Sequence, residues 1–316
     1  MNKATFVIGI DGGGTKTTAI LADSSGAVLA EESGGPSNFQ IMGTEKAAGN
    51  LFTLVTNLCQ KTGRPIAEVH AVVAGLTGAG RESDQERMRA ALQDHARNFG
   101  VQFARMRIDS DARVALEGAF EGAGGIILIA GTGSIAFGKT PEGEVLRTGG
   151  WGRFIGDEGS GYAIGRDAFA AVSKELDGRG RKTRLTQLMA DRFGLSGQER
   201  IIEEIYKNNF DIASIAPLVI QGAMDHDLEC ERILNRAAFE LSELVRGLTL
   251  RMEQATRGPR QKIPLSFIGG LLIAESVFTK IVKHKIEFSL PQIIVRKPQA
   301  TPAYGAVLIA LKLLNQ

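Results

Sequence analysis

The sequence predicts an α/β protein built from two domains that open in the same way. Three observations predict it. Buried-strand runs end in clustered glycines, first in IGIDGGGTKTT (Ile8–Thr18) and again in GGIILIAGTGS (Gly124–Ser134). The first 118 residues read in the order β-β-β-α-β-α-β-α. The opening then repeats at a fixed offset of 117 positions: Ile10 falls on Ile127, Gly14 on Gly131, Thr15 on Thr132, Gly26 on Gly143, Val28 on Val145 and Leu29 on Leu146. No gap is needed, which is the mark of a duplicated unit. The 316 residues suffice for two domains of ordinary size.

Taken in order, residues 5–10 form a buried strand, Lys16–Asp23 a second and Ala27–Glu31 a third after the Ser24-Ser25-Gly26 turn. A helix fits Thr44–Thr62, with Leu51, Leu54, Val55 and Leu58 on one face. His70–Gly78 is a strand, and Ser83 offers an N-cap for a helix over Asp84–Arg97. Arg105–Asp111 is a strand and Ala112–Gly118 a helix. The second half restarts with strands through Ile127, over Ile135–Lys139 and over Glu144–Arg147, with TPEG as a turn. A helical insertion of about 160–257 follows, ending in the amphipathic stretch Leu228–Gln254, whose apolar face includes Ile233, Ala237, Leu241, Leu244, Leu248 and Met252. Last come the strand PLSFIGG (Pro264–Gly270), a helix over Ala274–Lys285, the strand QIIVR and a helix with Pro302 in its first turn.

Composition narrows the function classes. A hydrophobic fraction of 43% and a charged fraction of 23% are those of a soluble globular protein. A net charge of +2 provides no basic field for nucleic acid or anionic lipid. No apolar run approaches the roughly 18 residues of a membrane span. MNKATFVIGID has only a five-residue apolar stretch before Asp11, which is not a secretory signal. Cys59 and Cys230 form no metal-ligand cluster and read as buried thiols, so a reducing cytoplasm is the expected home. His70, His95, His226 and His284 are scattered, without metal-ligand spacing, and no GxSxG elbow is present.

The chemistry lies in the glycine turns. A turn at the end of a buried strand presents backbone N–H groups to an anion. Gly13, Gly14 and Thr15 in the first turn, and Gly131, Thr132 and Gly133 in the second, are the candidates, with Lys16 adding charge. One such turn alone is explained by a hairpin; two in register are not. The Walker pattern GxxxxGK[ST] is absent. The chain also returns as a strand where a dinucleotide fingerprint needs a helix. Asp11 beside a phosphate would repel it unless a cation intervened, and Mg²⁺ suits one carboxylate, waters and phosphate oxygens. Gly269 and Gly270, between a strand and a helix, fit close approach of a nucleoside. Asp109 and Asp111 end a strand, and either can accept a proton from an attacking hydroxyl; Asp111 also sits where a helix N-cap belongs. In GGWGRFIGDEGSGYAIG (Gly149–Gly165) the single tryptophan, Trp151, lies among glycines with Asp157 and Glu158, a loop composition suited to a polyol.

These residues resemble the N-acetylglucosamine kinase/BadF-type ATPase family of the sugar kinase–heat-shock chaperone–actin superfamily. GIDGGGTKT is similar to its first phosphate motif, IILIAGTGS to its second, PLSFIGG to its adenosine motif and TPAYGAVLIAL to its closing helix. The run Gly149–Gly165 and the block APLVIQGAMDHDLECERIL also look like this family. The resemblance implies two RNase H-like domains around an interdomain cleft, residues 1–118 plus 302–316 and residues 119–301. It implies ATP and Mg²⁺, with Asp11 placing the metal through water, both turns on the phosphates, and Gly269 and Gly270 at the nucleoside. It chooses Asp111 over Asp109 as the base. It assigns Asn38, Thr77, Gly150, Trp151 and Asp157 to the sugar; Thr77 stands where relatives often carry serine. The implied reaction is phosphorylation of an amino-sugar hydroxyl, the 6-hydroxyl of N-acetylglucosamine or glucosamine, with a homodimer through the helical insertion. A second branch of the family consists of ATPases that activate acyl-CoA reductases or dehydratases through a cysteine-held iron–sulfur cluster. Neither cysteine here stands next to a phosphate motif or in the second opening meander, where that branch needs one. A non-catalytic amino-sugar sensor is the other alternative, and it would have no need of Asp111 and both turns.

Overall fold

Alternation of apolar residues with glycine, in FVIGIDG, forms a strand that is buried on both faces. The computed structural model describes residues 5–256 and 262–314. The chain divides into two units, one running to Ala123 and rejoined from Lys297, the other Gly124–Arg296. In the first unit β1 (Phe6–Gly12), β2 (Thr17–Asp23), β3 (Val28–Gly34), β4 (Val69–Leu76) and β5 (Arg105–Ser110) form a sheet of order β3-β2-β1-β4-β5. β1, β2 and β3 pair antiparallel, while β4 and β5 run parallel to β1. That is the RNase H-like arrangement. Parallel neighbours put the C-terminal ends of β1, β4 and β5 along one edge, where Asp11, Thr77 and Asp111 emerge.

Two helical layers cover the first sheet. One face packs α2 (Thr44–Thr62) and α3 (Glu82–Asn98) through Leu51, Val55, Leu58, Met88 and Leu92. The other packs α4 (Asp111–Ala119) and α12 (Pro302–Leu314) through Val114, Ala303, Ala306, Val307 and Ala310. Backbone meets backbone there. A Cβ on Gly9 would lie 2.3 Å from Val307 N, and one on Gly305 would lie 2.0 Å from Val114 O. Glycine is needed at both positions because any side chain would push the helices off the sheet. Buried Glu117 on α4 also pairs with Arg113 and, at 2.9 Å, with Lys312 on α12.

The second unit repeats the design. β6 (Gly125–Ala130), β7 (Ser134–Lys139), β8 (Val145–Gly149), β9 (Ile263–Ile268) and β10 (Ile293–Val295) form a sheet of order β10-β9-β6-β7-β8. The 117-residue offset holds at the level of single hydrogen bonds. In the β2–β3 turn Asp23 N donates to Ala27 O and Gly26 N to Asp23 O. In the β7–β8 turn Thr140 N donates to Glu144 O and Gly143 N to Thr140 O. Gly26 and Gly143 occupy the same left-handed region, at φ +89° and +95°. Between β8 and β9 lie α5 (Gly161–Leu176), α6 (Arg184–Phe193), α7 (Gly197–Tyr206), α8 (Ala216–Met224) and α9 (Leu228–Ala255). The apolar stripe of α9 is buried through Ile233, Ala237, Leu241, Leu248 and Met252. The expected end of the insertion at Arg257 lies outside the described residues.

Three local expectations are corrected. Ser83 is not an N-cap: α3 starts at Glu82 after extended Arg81, and Glu82 and Asp84 complement the helix dipole in its first turn. The helix expected over Ala274–Lys285 starts later and runs further, as α11 (Val277–Ser289), and a short helix not expected from the sequence, α10 (Gly270–Ile273), precedes it. Ala274 turns extended and Ser276 caps α11 by accepting from Thr279 N at 3.1 Å. The helix after β5 begins at Asp111 rather than Ala112, because Ser110 supplies the cap.

Candidate active site

In the first unit the turn 13–16 closes on itself: Gly13 N donates to Lys16 O at 2.9 Å. Among the described residues the N–H groups of Gly14 and Thr15 have no backbone acceptor. A Cβ on Gly14 would meet nothing within 4 Å, so the space over the turn is open. Gly13 O accepts from Ser37 N at 3.0 Å, and Thr17 Oγ1 donates its one proton to Gly35 O at 2.7 Å and lies 2.8 Å from Ser37 Oγ, from which it can accept. Lys16 is exposed and has no ion-pair partner among the described residues.

Asp11 ends β1 beside this turn, and no side-chain donor reaches its carboxylate among the described residues. Burial, and secondarily the charge of Asp111, push it up to about 6. Two carboxylates held together without a cation are what a divalent ion would neutralise, so the residues present fit Mg²⁺.

The structure separates the two aspartates that sequence order left equivalent. Asp109 is buried and engaged by Arg107 at 2.7 Å and by Ser110 N at 2.9 Å. Asp111 has left the strand. Ser110 Oγ takes the capping bond from Arg113 N at 3.1 Å, which frees Asp111 from that duty. Its Oδ1 accepts from Ala112 N at 2.8 Å and its Oδ2 from Thr77 Oγ1 at 2.7 Å. Thr77 is itself fixed by its N–H on Gly12 O at 2.9 Å. Asn38 caps α1 (Phe39–Met42), accepting from Gln40 N at 3.1 Å through Oδ1, which leaves its Nδ2 for a ligand. A Cβ on Gly78 would lie 3.5 Å from that Oδ1, so Asn38 neighbours the Thr77 loop. The first unit thus gathers Asp11, Gly13–Lys16, Asn38, Thr77 and Asp111.

The second unit gathers the rest. Gly131 N closes its turn on Gly133 O at 2.9 Å, and a Cβ on Gly131 would meet nothing within 4 Å. Gly269, at φ +94°, packs where a Cβ would lie 2.4 Å from Ala130 O, which puts the third glycine pair at the base of the second turn; Gly270 faces open space. Gly150 N donates to Ser134 O at 3.1 Å. Asp157 is drawn to the turn: its Oδ1 accepts from Ser134 N at 3.2 Å. Trp151 stands apart, 68% exposed, with Phe154 and Ile155 also exposed on the same loop.

Sequence reasoning missed the supports, Ser37, Thr17 and Ser110. Ser37 stood in the GPSN run, one residue from Asn38, and Thr17 was a polar residue within an apolar strand. Both cysteines are buried, and burial pushes the Cys59 thiol up to about 11 and that of Cys230 further, as for structural thiols. Among the described residues no group of three or more His, Cys, Asp or Glu side chains is placed to hold a metal, and no helix is long and apolar enough to cross a membrane.

Known proteins share this chain's full extent. N-acetylmuramic acid/N-acetylglucosamine kinase of Clostridium acetobutylicum is 34% identical over 96% of this chain and 98% of its own. N-acetyl-D-glucosamine kinase of Dictyostelium discoideum is 30% identical over 98% and 99%. The solved structure of a candidate N-acetylglucosamine kinase from Chromobacterium violaceum superposes with a TM-score of 0.71 at 28% identity, covering 98% of this chain and 99% of that one. The model of the BadF/BadG/BcrA/BcrD ATPase family matches residues 8–310, and this chain belongs to that family.

Proposed function

We propose that the protein is an ATP-dependent kinase that phosphorylates an amino sugar of the N-acetylglucosamine or glucosamine type, on its 6-hydroxyl. The observation that carries this reading is Asp111, freed from capping by Ser110 and oriented by Thr77 beside Asp11. Asp111 accepts the proton of the sugar hydroxyl as its oxygen bonds the γ-phosphorus; the bond from that phosphorus to the bridging oxygen breaks, and ADP leaves with the electron pair. A divalent ion at Asp11 would supply positive charge to the phosphates when bound. The free N–H groups of both turns stabilise the phosphate oxygens, so the protein contributes mainly position and electrostatics. Asn38 Nδ2, Gly150, Trp151 and the Thr77 hydroxyl are the sugar contacts in this reading, with Gly269 and Gly270 against the nucleoside. A reducing cytoplasm suits its two buried thiols.

The test is ADP release with Mg-ATP over glucose, glucosamine, N-acetylglucosamine, N-acetylmannosamine and N-acetylmuramate, with the phosphorylated position read by NMR. The reading expects ADP stoichiometric with a 6-phosphate of glucosamine or N-acetylglucosamine. ADP release that none of these sugars stimulates would overturn it.

A further inference from the structure

We propose that Asp157 is a positioning residue for the second phosphate turn, so that the sugar loop and nucleotide binding are mechanically joined. The inference rests on the kinase reading above and adds a role that the loop's composition did not suggest.

Loop 157–162 holds the turn at four successive residues. Gly161 N donates to Gly131 O at 2.8 Å and Tyr162 N to Thr132 O at 3.2 Å. Ser134 N donates to Asp157 Oδ1 at 3.2 Å, and Ser134 Oγ donates to Glu158 O at 2.7 Å. At Gly133 the contact is steric: a Cβ there would lie 2.9 Å from Asp157 Oδ2 and 3.1 Å from both Oδ1 and Cγ. Among the described residues, and outside the β6–β7 ladder, the turn bonds within itself from Gly131 N to Gly133 O. Its shape therefore depends on the loop. With Ser134 N taken by Asp157, the N–H groups of Thr132 and Gly133 are the two left for an anion.

The two glycines of this turn thus have separate causes. Gly131 borders open space, where a side chain would compete with a ligand. Gly133 borders a carboxylate, where a side chain would displace the support. Asp157 also holds φ at +58°, a left-handed conformation that costs a non-glycine residue free energy and persists only when its surroundings demand it.

Both Asp157→Asn and Asp157→Gly suit that φ, and only the first keeps an acceptor for Ser134 N. Binding of ADP and of a non-hydrolysable ATP analogue, without sugar, is measured by calorimetry for each. The expected result is a Kd weakened roughly tenfold or more by Asp157→Gly and changed less than about threefold by Asp157→Asn. Nucleotide Kd unchanged in Asp157→Gly, with only the sugar KM raised, would make Asp157 a plain sugar ligand and overturn the proposal. Equal weakening in both variants would also overturn it, since the acceptor would then not be what matters. Wild-type protein that binds no nucleotide would overturn the kinase reading itself.

Discussion

The two glycine turns carry the same device on different supports. Each ends the first strand of its unit, each spends its first glycine N–H on closing the turn, and each offers that glycine's carbonyl to a distant N–H, Ser37 in one unit and Gly161 in the other. They differ in where the carboxylate stands. In the first unit Asp11 lies on the strand itself without a donor, while neutral hydroxyls of Thr17 and Ser37 hold the loop. In the second the carboxylate comes from the loop and is absorbed by Ser134 N. The second turn is one residue tighter, closing from Gly131 to Gly133 where the first closes from Gly13 to Lys16, and the charge is placed differently. A carboxylate on the strand is free to meet a cation; one bonded to main chain acts as a brace.

The largest effect should separate the units by chemistry. In the proposed reading only the first carries a base, so Asp111→Asn should lower kcat at least about a hundredfold while leaving the Kd for ADP within about twofold. Asparagine keeps the shape and the acceptor for Ala112 N, turns Thr77 Oγ1 from donor to acceptor of its amide, and removes the proton acceptor. A variant with near-wild-type kcat would break the assignment.

The next effect concerns the unpaired strand carboxylate. An acid whose folded pKa is raised binds its proton more tightly when folded, so the penalty is absent below about pH 4 and complete above about 6. For metal-free protein this difference amounts to at most about 3 kcal/mol. Asp11→Asn should therefore melt above wild type at pH 7.5 and level with it near pH 4, and should lose the rise in Tm that Mg²⁺ gives the wild type. Equal melting at pH 7.5 would remove the strain ascribed to Asp11. The position then would be one where stability is given up for a binding charge.

The contrast also shows what a sequence carries. The duplicated meander was legible because hydrophobic alternation and turn glycines are local, and the offset persisted to the φ of Gly26 and Gly143. The first-unit site was legible for a related reason: Asp11, Thr77 and Asp111 all end strands that pair in parallel, so strand ends meet. The choice of Asp111 over Asp109 was not legible from periodicity. It depends on Ser110 taking the cap and on Arg107 claiming Asp109, both side-chain events. Sequence reasoning gave Asp157 a sugar partner and did not foresee its bond to Ser134 N. Its bond to Ser134 spans 23 positions through a left-handed residue, and no periodic pattern encodes that. The late start of the expected Ala274 helix also has a side-chain cause, the Ser276 cap.

The smallest effect tests whether the neutral brace is the weaker one. Thr17 is fully buried, and its hydroxyl serves both Gly35 O and Ser37 Oγ. Thr17→Val keeps the shape, leaves Gly35 O without its donor and Ser37 Oγ without its partner, and should cost about 1–2 kcal/mol in urea denaturation. Its effect on ADP affinity should be smaller than that of Asp157→Gly, because Ser37 still reaches Gly13 O through its own N–H, whereas Asp157→Gly removes the acceptor of Ser134 N outright. If Thr17→Val weakens ADP binding more than Asp157→Gly does, the first turn is the one that depends on its brace, and the order of the two supports is reversed.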